Sequence, residues 1–287
     1  MALSANSKII KALALDLDGT VLGPGARLSD RAIRVVKRCI DRGLKIIIGT
    51  GRSIDAAERF RSSFGAGGPM IYFNGAVVAD MPGGKILKST LLDKKTADFC
   101  VDFSRENGIY YQIYFPDSGI SGGNPRPVMP LVTEKDMPER EMYYKHTGIL
   151  AELGDLKEAL GRCGQEGCIK AMFIAEPARL ESIRPKLAEA LGRSVYITKT
   201  HNNFLETMNA NASKGKGLKF VMELLSLKRE ELIAFGDDEN DVPMSDAAGF
   251  FIVPDNAKDT IKAKADLVTA SNADDGVPAF LEEFFGL

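Results

Sequence analysis

The chain has only two histidines, His146 and His201, in 287 residues. A histidine-rich metal site therefore lacks its ligands, and acid–base chemistry falls to carboxylates and lysine. Cysteine is scarce as well. Cys39, Cys100, Cys163 and Cys168 include no C-x-x-C pair, so the usual zinc spacing is absent. None of the four is followed by an arginine after five intervening residues, the Cys-x₅-Arg spacing of a cysteine phosphatase. Reduced thiols in a cytoplasmic protein are the expectation. No run approaches the roughly 18 apolar residues that a membrane helix needs, and residues 1–11 have no apolar core of a secretory leader. Neither sign of charge dominates: the net charge is -2, without the basic field of a nucleic-acid binder.

Three familiar nucleotide or nucleophile signatures also fail. Gly49-Thr50-Gly51 is followed by Ile54 where a dinucleotide fingerprint needs its third glycine. No G-x-x-x-x-G-K-[ST] loop occurs. Gly119-Ile120-Ser121-Gly122-Gly123 matches G-x-S-x-G, but Asn124-Pro125-Arg126-Pro127 follows, and that pattern starts no helix. A Gly/Pro-rich loop over 117–130 is the expectation.

What is present is the pattern of an α/β protein, 45% hydrophobic and 26% charged, long enough to bury a core without staples. Apolar runs at 11–16, 44–48 and 70–73 read as buried strands. Helices fit between them, one capped by Ser29 and one over 53–64, and Asn74-Gly75 marks a turn. The alternation resumes at Ser213. A helix places Leu218, Val221, Met222 and Leu225 on one face, strands follow at 232–235 and 249–253, and helices fit 257–265 and 276–285. The middle differs in texture, with strands at 109–115, 169–175 and 195–200 and helices at 94–107, 155–163 and 179–191. The expected architecture is a Rossmann-like parallel-sheet core from 1–81 and 204–287, helices on both faces, with an α+β insert at 82–203.

The chemistry gathers at strand ends. Asp16-Leu17-Asp18-Gly19-Thr20 follows the first strand, and alternate residues of an extended end point the same way. Two adjacent carboxylates repel unless a cation intervenes, and Mg²⁺ takes hard oxygen ligands of this kind. Gly236-Asp237-Asp238-Glu239-Asn240-Asp241 follows a later strand, and open α/β sheets build their sites at such carboxyl ends. Gly49-Thr50-Gly51-Arg52-Ser53 joins a strand to a helix, where N–H groups and the Thr50 hydroxyl suit a phosphate oxygen. Lys214, at the start of a helix, can neutralise phosphate charge.

These strings, in the order Asp16-Leu17-Asp18-Gly19-Thr20, Thr50-Gly51-Arg52, Ser213-Lys214-Gly215 and Gly236-Asp237 through Asn240-Asp241, resemble the four motifs of the haloacid dehalogenase superfamily. Asn74-Gly75-Ala76 and the position of the insert make the chain look like the Cof-type phosphatase branch, whose members carry an α/β cap there. Asn211 stands where the family often has glycine. The resemblance implies Asp16 as nucleophile and Asp18 as general acid and base. It implies that Thr50, Gly51, Lys214 and Asn240 hold the phosphoryl group. It also implies a Mg²⁺ bound by Asp16, the Asp18 main-chain carbonyl and Asp237, with Asp241 supporting the metal. The activity implied is a Mg²⁺-dependent phosphomonoester hydrolase acting on a small phosphorylated metabolite: a sugar phosphate, nucleotide or cofactor phosphate. The alternatives are a phosphomutase on the same scaffold and a non-catalytic phospho-ligand sensor. A small-molecule substrate, no nucleic acid, no membrane, and a monomer or homodimer complete the expectation.

Overall fold

The computed structural model describes residues 9–116, 129–163 and 167–287. The expected loop over 117–130 lies outside them except for its last two positions, 129 and 130, and Gly119-Gly123 lies outside them entirely. The chain divides into two compact units, one from residues 1–82 and 214–287, the other from 83–213.

The first unit opens with β1 (Ala12–Leu15), in which every residue is buried. Burial at successive positions means that both faces of the strand are covered, as in a parallel sheet between helices. α1 (Asp30–Asp41) follows, capped by Ser29, whose hydroxyl accepts the Ala32 N–H at 3.0 Å. Its buried face is Ala32, Val35, Val36 and Cys39. β2 (Lys45–Ile48) leads to α2 (Ile54–Phe64), capped by Ser53 and closed by Gly65 at φ 71°. β3 (Gly68–Tyr72) then pairs antiparallel with β4 (Val77–Met81). The 70–73 run was expected in the parallel sheet. Its main-chain pairing with that sheet comes past the end of β2, through a parallel bridge of Gly49 with Ile71.

The second unit begins with β5 (Lys85–Ser89) and α3 (Lys94–Asn107), then β6 (Tyr110–Tyr114) and β7 (Leu131–Thr133). α4 (Pro138–Thr147), β8 (Glu152–Leu153), α5 (Leu156–Arg162), β9 (Lys170–Ile174) and α6 (Pro177–Leu191) follow. β10 (Val195–His201) and β11 (Phe204–Asn209) complete a six-stranded sheet in the order β10-β11-β9-β6-β7-β8. Alternate strand residues Tyr111, Ile113, Phe173 and Leu205 join a core with Val101, Leu160 and Leu187 from the helices. The opposite parity carries Lys170 and Glu206, a buried ion pair at 2.7 Å. The C-terminal border expected at 204 is therefore corrected to 214. β11 pairs along its length with β10 and over Phe204–Thr207 with β9, so it belongs to the insert's sheet, and the unit runs on to 213. His146 and His201, half-buried, lie in this unit with ring centroids 5.0 Å apart.

The chain returns through α7 (Lys214–Leu224), β12 (Leu232–Phe235), β13 (Phe250–Pro254), α8 (Asp259–Lys262), β14 (Leu267–Thr269) and α9 (Gly276–Phe285). α8 is shorter than the expected 257–265, because the N–H groups of Lys264 and Ala265 bond three residues back and tighten the chain into turns. The main sheet runs β14-β13-β12-β1-β2, all parallel. None of its strands comes from the insert. Among the described residues, no cysteine is joined in a disulfide. Among the described residues, no helix is long and apolar enough to cross a membrane.

α7 packs against the turn at 242–244 with no room for a side chain at Gly215, where a Cβ would stand 2.0 Å from the Pro243 carbonyl oxygen. Backbone cannot step aside as a flexible side chain can. Gly215→Ala should therefore lower stability by about 1–3 kcal/mol through overpacking. Gly161→Ala, in α5 with nothing within 4 Å of the new methyl, should be neutral or stabilise by up to about 1 kcal/mol. Thermal denaturation of the two variants checks the contrast.

Candidate active site

The register of the main sheet creates the site. Leu15 pairs with Ile48 on one side and with Phe235 on the other. Asp16, Gly49 and Gly236 therefore leave the sheet side by side at its carboxyl edge. Asp16 still donates its N–H to the Phe235 carbonyl at 3.1 Å, so its main chain is held by the last rung of the ladder. Its side chain is buried, 4% exposed.

After Asp16 the chain turns sharply. Gly19 sits at φ 80°, and a Cβ there would fall 2.2 Å from Asp237 Oδ2. Glycine lets the two acidic loops meet. Thr20 Oγ1 donates to Asp237 Oδ1 at 2.7 Å and fixes that carboxylate. Gly236 does the same work on the other loop, where a Cβ would lie 2.3 Å from Asp241 Cβ. Asp241 Oδ2 accepts the N–H groups of Asp237 at 3.0 Å and Asp238 at 3.2 Å, closing the loop upon itself.

Lys214, the first residue of α7, lies between the carboxylates. Its Nζ donates to Asp16 Oδ1 and to Asp241 Oδ1, both at 2.6 Å, and all three side chains are buried. Asp16, Asp237 and Asp241 each bring a carboxylate oxygen to within 4.8 Å of the others. Burial pushes the Asp16 carboxyl up to about 7, with Asp241 adding to the rise and Lys214 opposing it. Burial, Asp16 and Asp241 also hold Asp237 well above the carboxylate range. Burial pulls the Lys214 ammonium down, but Asp16 and Asp241 outweigh it and keep it above the ordinary lysine range. The carboxylates outnumber the ammonium in a buried place. A hard divalent cation fits this donor set, because it would relieve the repulsion that raises Asp16 and Asp237.

The remaining expected residues surround this cluster. Thr50 is buried on the loop after β2, where its N–H donates to Ile71 O at 2.9 Å and its hydroxyl accepts the Arg52 N–H at 3.1 Å. Gly51 lies in the same bend, half-buried. Asn240 is buried and donates through Nδ2 to Asn74 Oδ1 at 2.9 Å. Asp18 does not place its carboxylate with the acidic triad. Arg52 grips it through both oxygens, Nε to Oδ2 at 2.6 Å and Nη2 to Oδ1 at 2.7 Å. The metal role expected of Asp18 concerns its main-chain carbonyl, and its side chain belongs to this ion pair. Three partners were not singled out by the sequence: Arg52 as the anchor of Asp18, Thr20 as that of Asp237, and Asn74 as that of Asn240. Arg52 and Thr20 stood inside recognised strings, while Asn74 read as a turn and as part of the Asn74-Gly75-Ala76 resemblance, without a role of its own.

Comparison with known proteins agrees with this geometry. The family model of the haloacid dehalogenase-like hydrolases matches residues 13–281. Among curated proteins, a putative phosphatase of Haemophilus influenzae is 30% identical over 291 residues, covering 96% of this chain and 97% of that protein. The 5-amino-6-(5-phospho-D-ribitylamino)uracil phosphatase YitU of Bacillus subtilis is 28% identical, with 96% of this chain and 97% of that protein covered. Among solved structures, TM0651 from Thermotoga maritima superposes with a TM-score of 0.78 at 27% identity, covering 96% of this chain and 97% of that one. With its acidic strand ends, its buried lysine and a family match over nearly its whole length, the chain belongs to the haloacid dehalogenase-like hydrolases.

Proposed function

We propose that this phosphatase hydrolyses the phosphomonoester of a small metabolite, with Mg²⁺, through an aspartyl-phosphate formed on Asp16. One observation carries the reading: a buried Asp16 at a strand end, bonded to Lys214 and grouped with Asp237 and Asp241. A buried carboxylate so placed is aimed and desolvated, as a nucleophile requires.

In the first step an Asp16 oxygen attacks phosphorus in line, the bond to the leaving oxygen breaks, and Asp18 supplies the proton that this oxygen takes up. In the second, water attacks phosphorus while Asp18 receives its proton. The bond from phosphorus to Asp16 then breaks and inorganic phosphate leaves. Arg52 holds Asp18 beside the nucleophile's loop in the resting site. Lys214 offsets charge on the phosphoryl oxygens, with Thr50, the Gly51 main chain and Asn240 as further contacts. Asp16, the Asp18 carbonyl and Asp237 would hold Mg²⁺, with Asp241 in support. The ion supplies Lewis-acid neutralisation of the phosphoryl charge.

The insert at 83–213 contains none of these residues and is assigned the choice of leaving group. A phosphorylated polyol, sugar, nucleotide or cofactor is the substrate class. The name of the Bacillus subtilis relative, a phosphatase of a phosphoribityl compound, supports it.

Asp16→Asn keeps the shape and removes the nucleophile. Its kcat on p-nitrophenyl phosphate should fall at least about a thousandfold, near 4 kcal/mol of barrier, with an unchanged circular dichroism spectrum. Activity above that level would exclude a covalent Asp16.

The acidic cluster generates a pH dependence. In the folded, metal-free chain Asp16 keeps its proton up to about 7, whereas an unfolded aspartate releases it near ~3.9. The folded state thus binds more protons in that window, and stability falls as pH rises through it. Mg²⁺ binds the ionised carboxylates, so its stabilising effect grows over the same window. In thermal denaturation, Mg²⁺ added after chelator should raise Tm by several degrees near about pH 8 and by much less near about pH 5. Equal shifts at both, or none, would remove the ion from this cluster.

A further inference from the structure

The short turn at Phe73–Gly75 is unusual in its backbone. Phe73, Asn74 and Gly75 all have positive φ, at 49°, 54° and 94°. Positive φ costs an ordinary L-residue about 1–2 kcal/mol, less for asparagine and little for glycine. Such a run persists only where its surroundings hold it.

The turn is held by two loops and one helix of the candidate site. Phe73 N–H donates to Arg52 O and Asn74 N–H to Thr50 O, both at 3.0 Å, which stitches it to the loop after β2. Asn74 Oδ1 accepts from Asn240 Nδ2 at 2.9 Å, which ties it to the loop after β12. α7, whose first residue is Lys214, crosses close by. A Cβ at Gly217 would stand 2.8 Å from Ile71 Cγ2 and 3.3 Å from Gly75 Cα. Asn74 itself is fully buried. Asn74 thus ties Thr50 through its main chain and Asn240 through its side chain.

We propose that Asn74 is a positioning residue for phosphoryl transfer: its left-handed backbone fixes the Thr50 loop, and its side-chain oxygen fixes the amide of Asn240. This rests on the proposed function, in which Thr50 and Asn240 contact the phosphoryl group. The chemistry explains the residue type. Asparagine both tolerates the backbone angle and presents an acceptor. An acceptor at this point selects the NH₂ end of the Asn240 amide. That group has two hydrogens, so one is spent on Asn74 and the second is aimed by it. Without Asn74 the Asn240 amide would lose both its orientation and the spacing to Thr50.

Asn74→Gly tests this cleanly, since glycine keeps the left-handed turn and removes only the amide. The double-mutant cycle with Asn240→Ala separates positioning from general stability. With p-nitrophenyl phosphate and Mg²⁺, Asn74→Gly should lower kcat/KM and weaken inhibition by inorganic phosphate about tenfold, the scale of one hydrogen bond to a charged group. In the Asn240→Ala background it should cause no further loss. A wild-type kcat/KM and phosphate inhibition in Asn74→Gly, or losses that multiply in the double variant, would overturn the proposal even if Tm falls. If the wild-type chain hydrolysed no phosphomonoester, the proposed function would fall separately. The positioning role would then be read in the side-chain NH₂ resonance of Asn240, assigned by its loss in Asn240→Ala. A shift or broadening of that resonance in Asn74→Gly supports the role, and an unchanged resonance overturns it.

Discussion

Two carboxylates, Asp16 and Asp241, share one ammonium, Lys214, in a place where all three are buried. Taking charges out of water is costly, and only close, well-directed partners offset it. The surrounding backbone can be understood as the set of conditions that this contact imposes. Asp16 must sit at the last rung of β1, because its side chain has no other route to the lysine. Asp241 must be turned back, and the N–H groups of Asp237 and Asp238 do that by bonding its second oxygen. Lys214 must begin a helix that comes close enough to reach both.

Glycine makes that approach feasible. Methyl groups at Gly19, Gly215 and Gly236 would meet Asp237, the Pro243 carbonyl and Asp241 at 2.0–2.3 Å. These contacts bring separate stretches of chain together around the acidic cluster. The short strings around Asp16, Lys214 and Asp237 thus each combine a charged residue with a glycine for a single physical reason: charge must be packed against backbone.

That coupling is also why so much could be read from sequence. Asp16, Lys214, Asp237 and Asp241 stood in compact strings next to apolar strands, and the parallel register brings those strands' ends to one edge. The helices capped by Ser29 and Ser53 carried local signals, a side-chain acceptor before an apolar face, and they form where expected. What escaped detection depends on partners far along the chain. Phe204–Asn209 reads as a strand in isolation, and only its pairing with β9 and β10 assigns it to the insert. The 70–73 run is apolar enough for the main sheet, and its hairpin with β4 decides otherwise. Asn74 and Asn240 are 166 residues apart, and nothing in either local string indicates the other. α4 buries one residue, Tyr143, so its sequence carried little helical periodicity.

The two units treat buried charge in opposite ways. In the insert, Lys170 meets Glu206 at 2.7 Å, and Thr200 also donates to Glu206, at 2.9 Å. One cation meets one anion, with a hydroxyl taking up further acceptor capacity, and the lysine lies over the Tyr114 ring at 5.7 Å. Within that contact the two charges are equal and opposite. In the core, one ammonium faces Asp16 and Asp241 while Asp237 leans on the Thr20 hydroxyl. A hydroxyl can direct a carboxylate but cannot neutralise it. The same burial that the insert resolves by matching charges therefore leaves an unspent negative field in the core. It sits at the carboxyl edge of the sheet, where Thr50 and Asn240 offer donors rather than further anions. An arrangement of that kind is poorly suited to holding a fold together and well suited to binding a cation and the phosphoryl group that a cation brings.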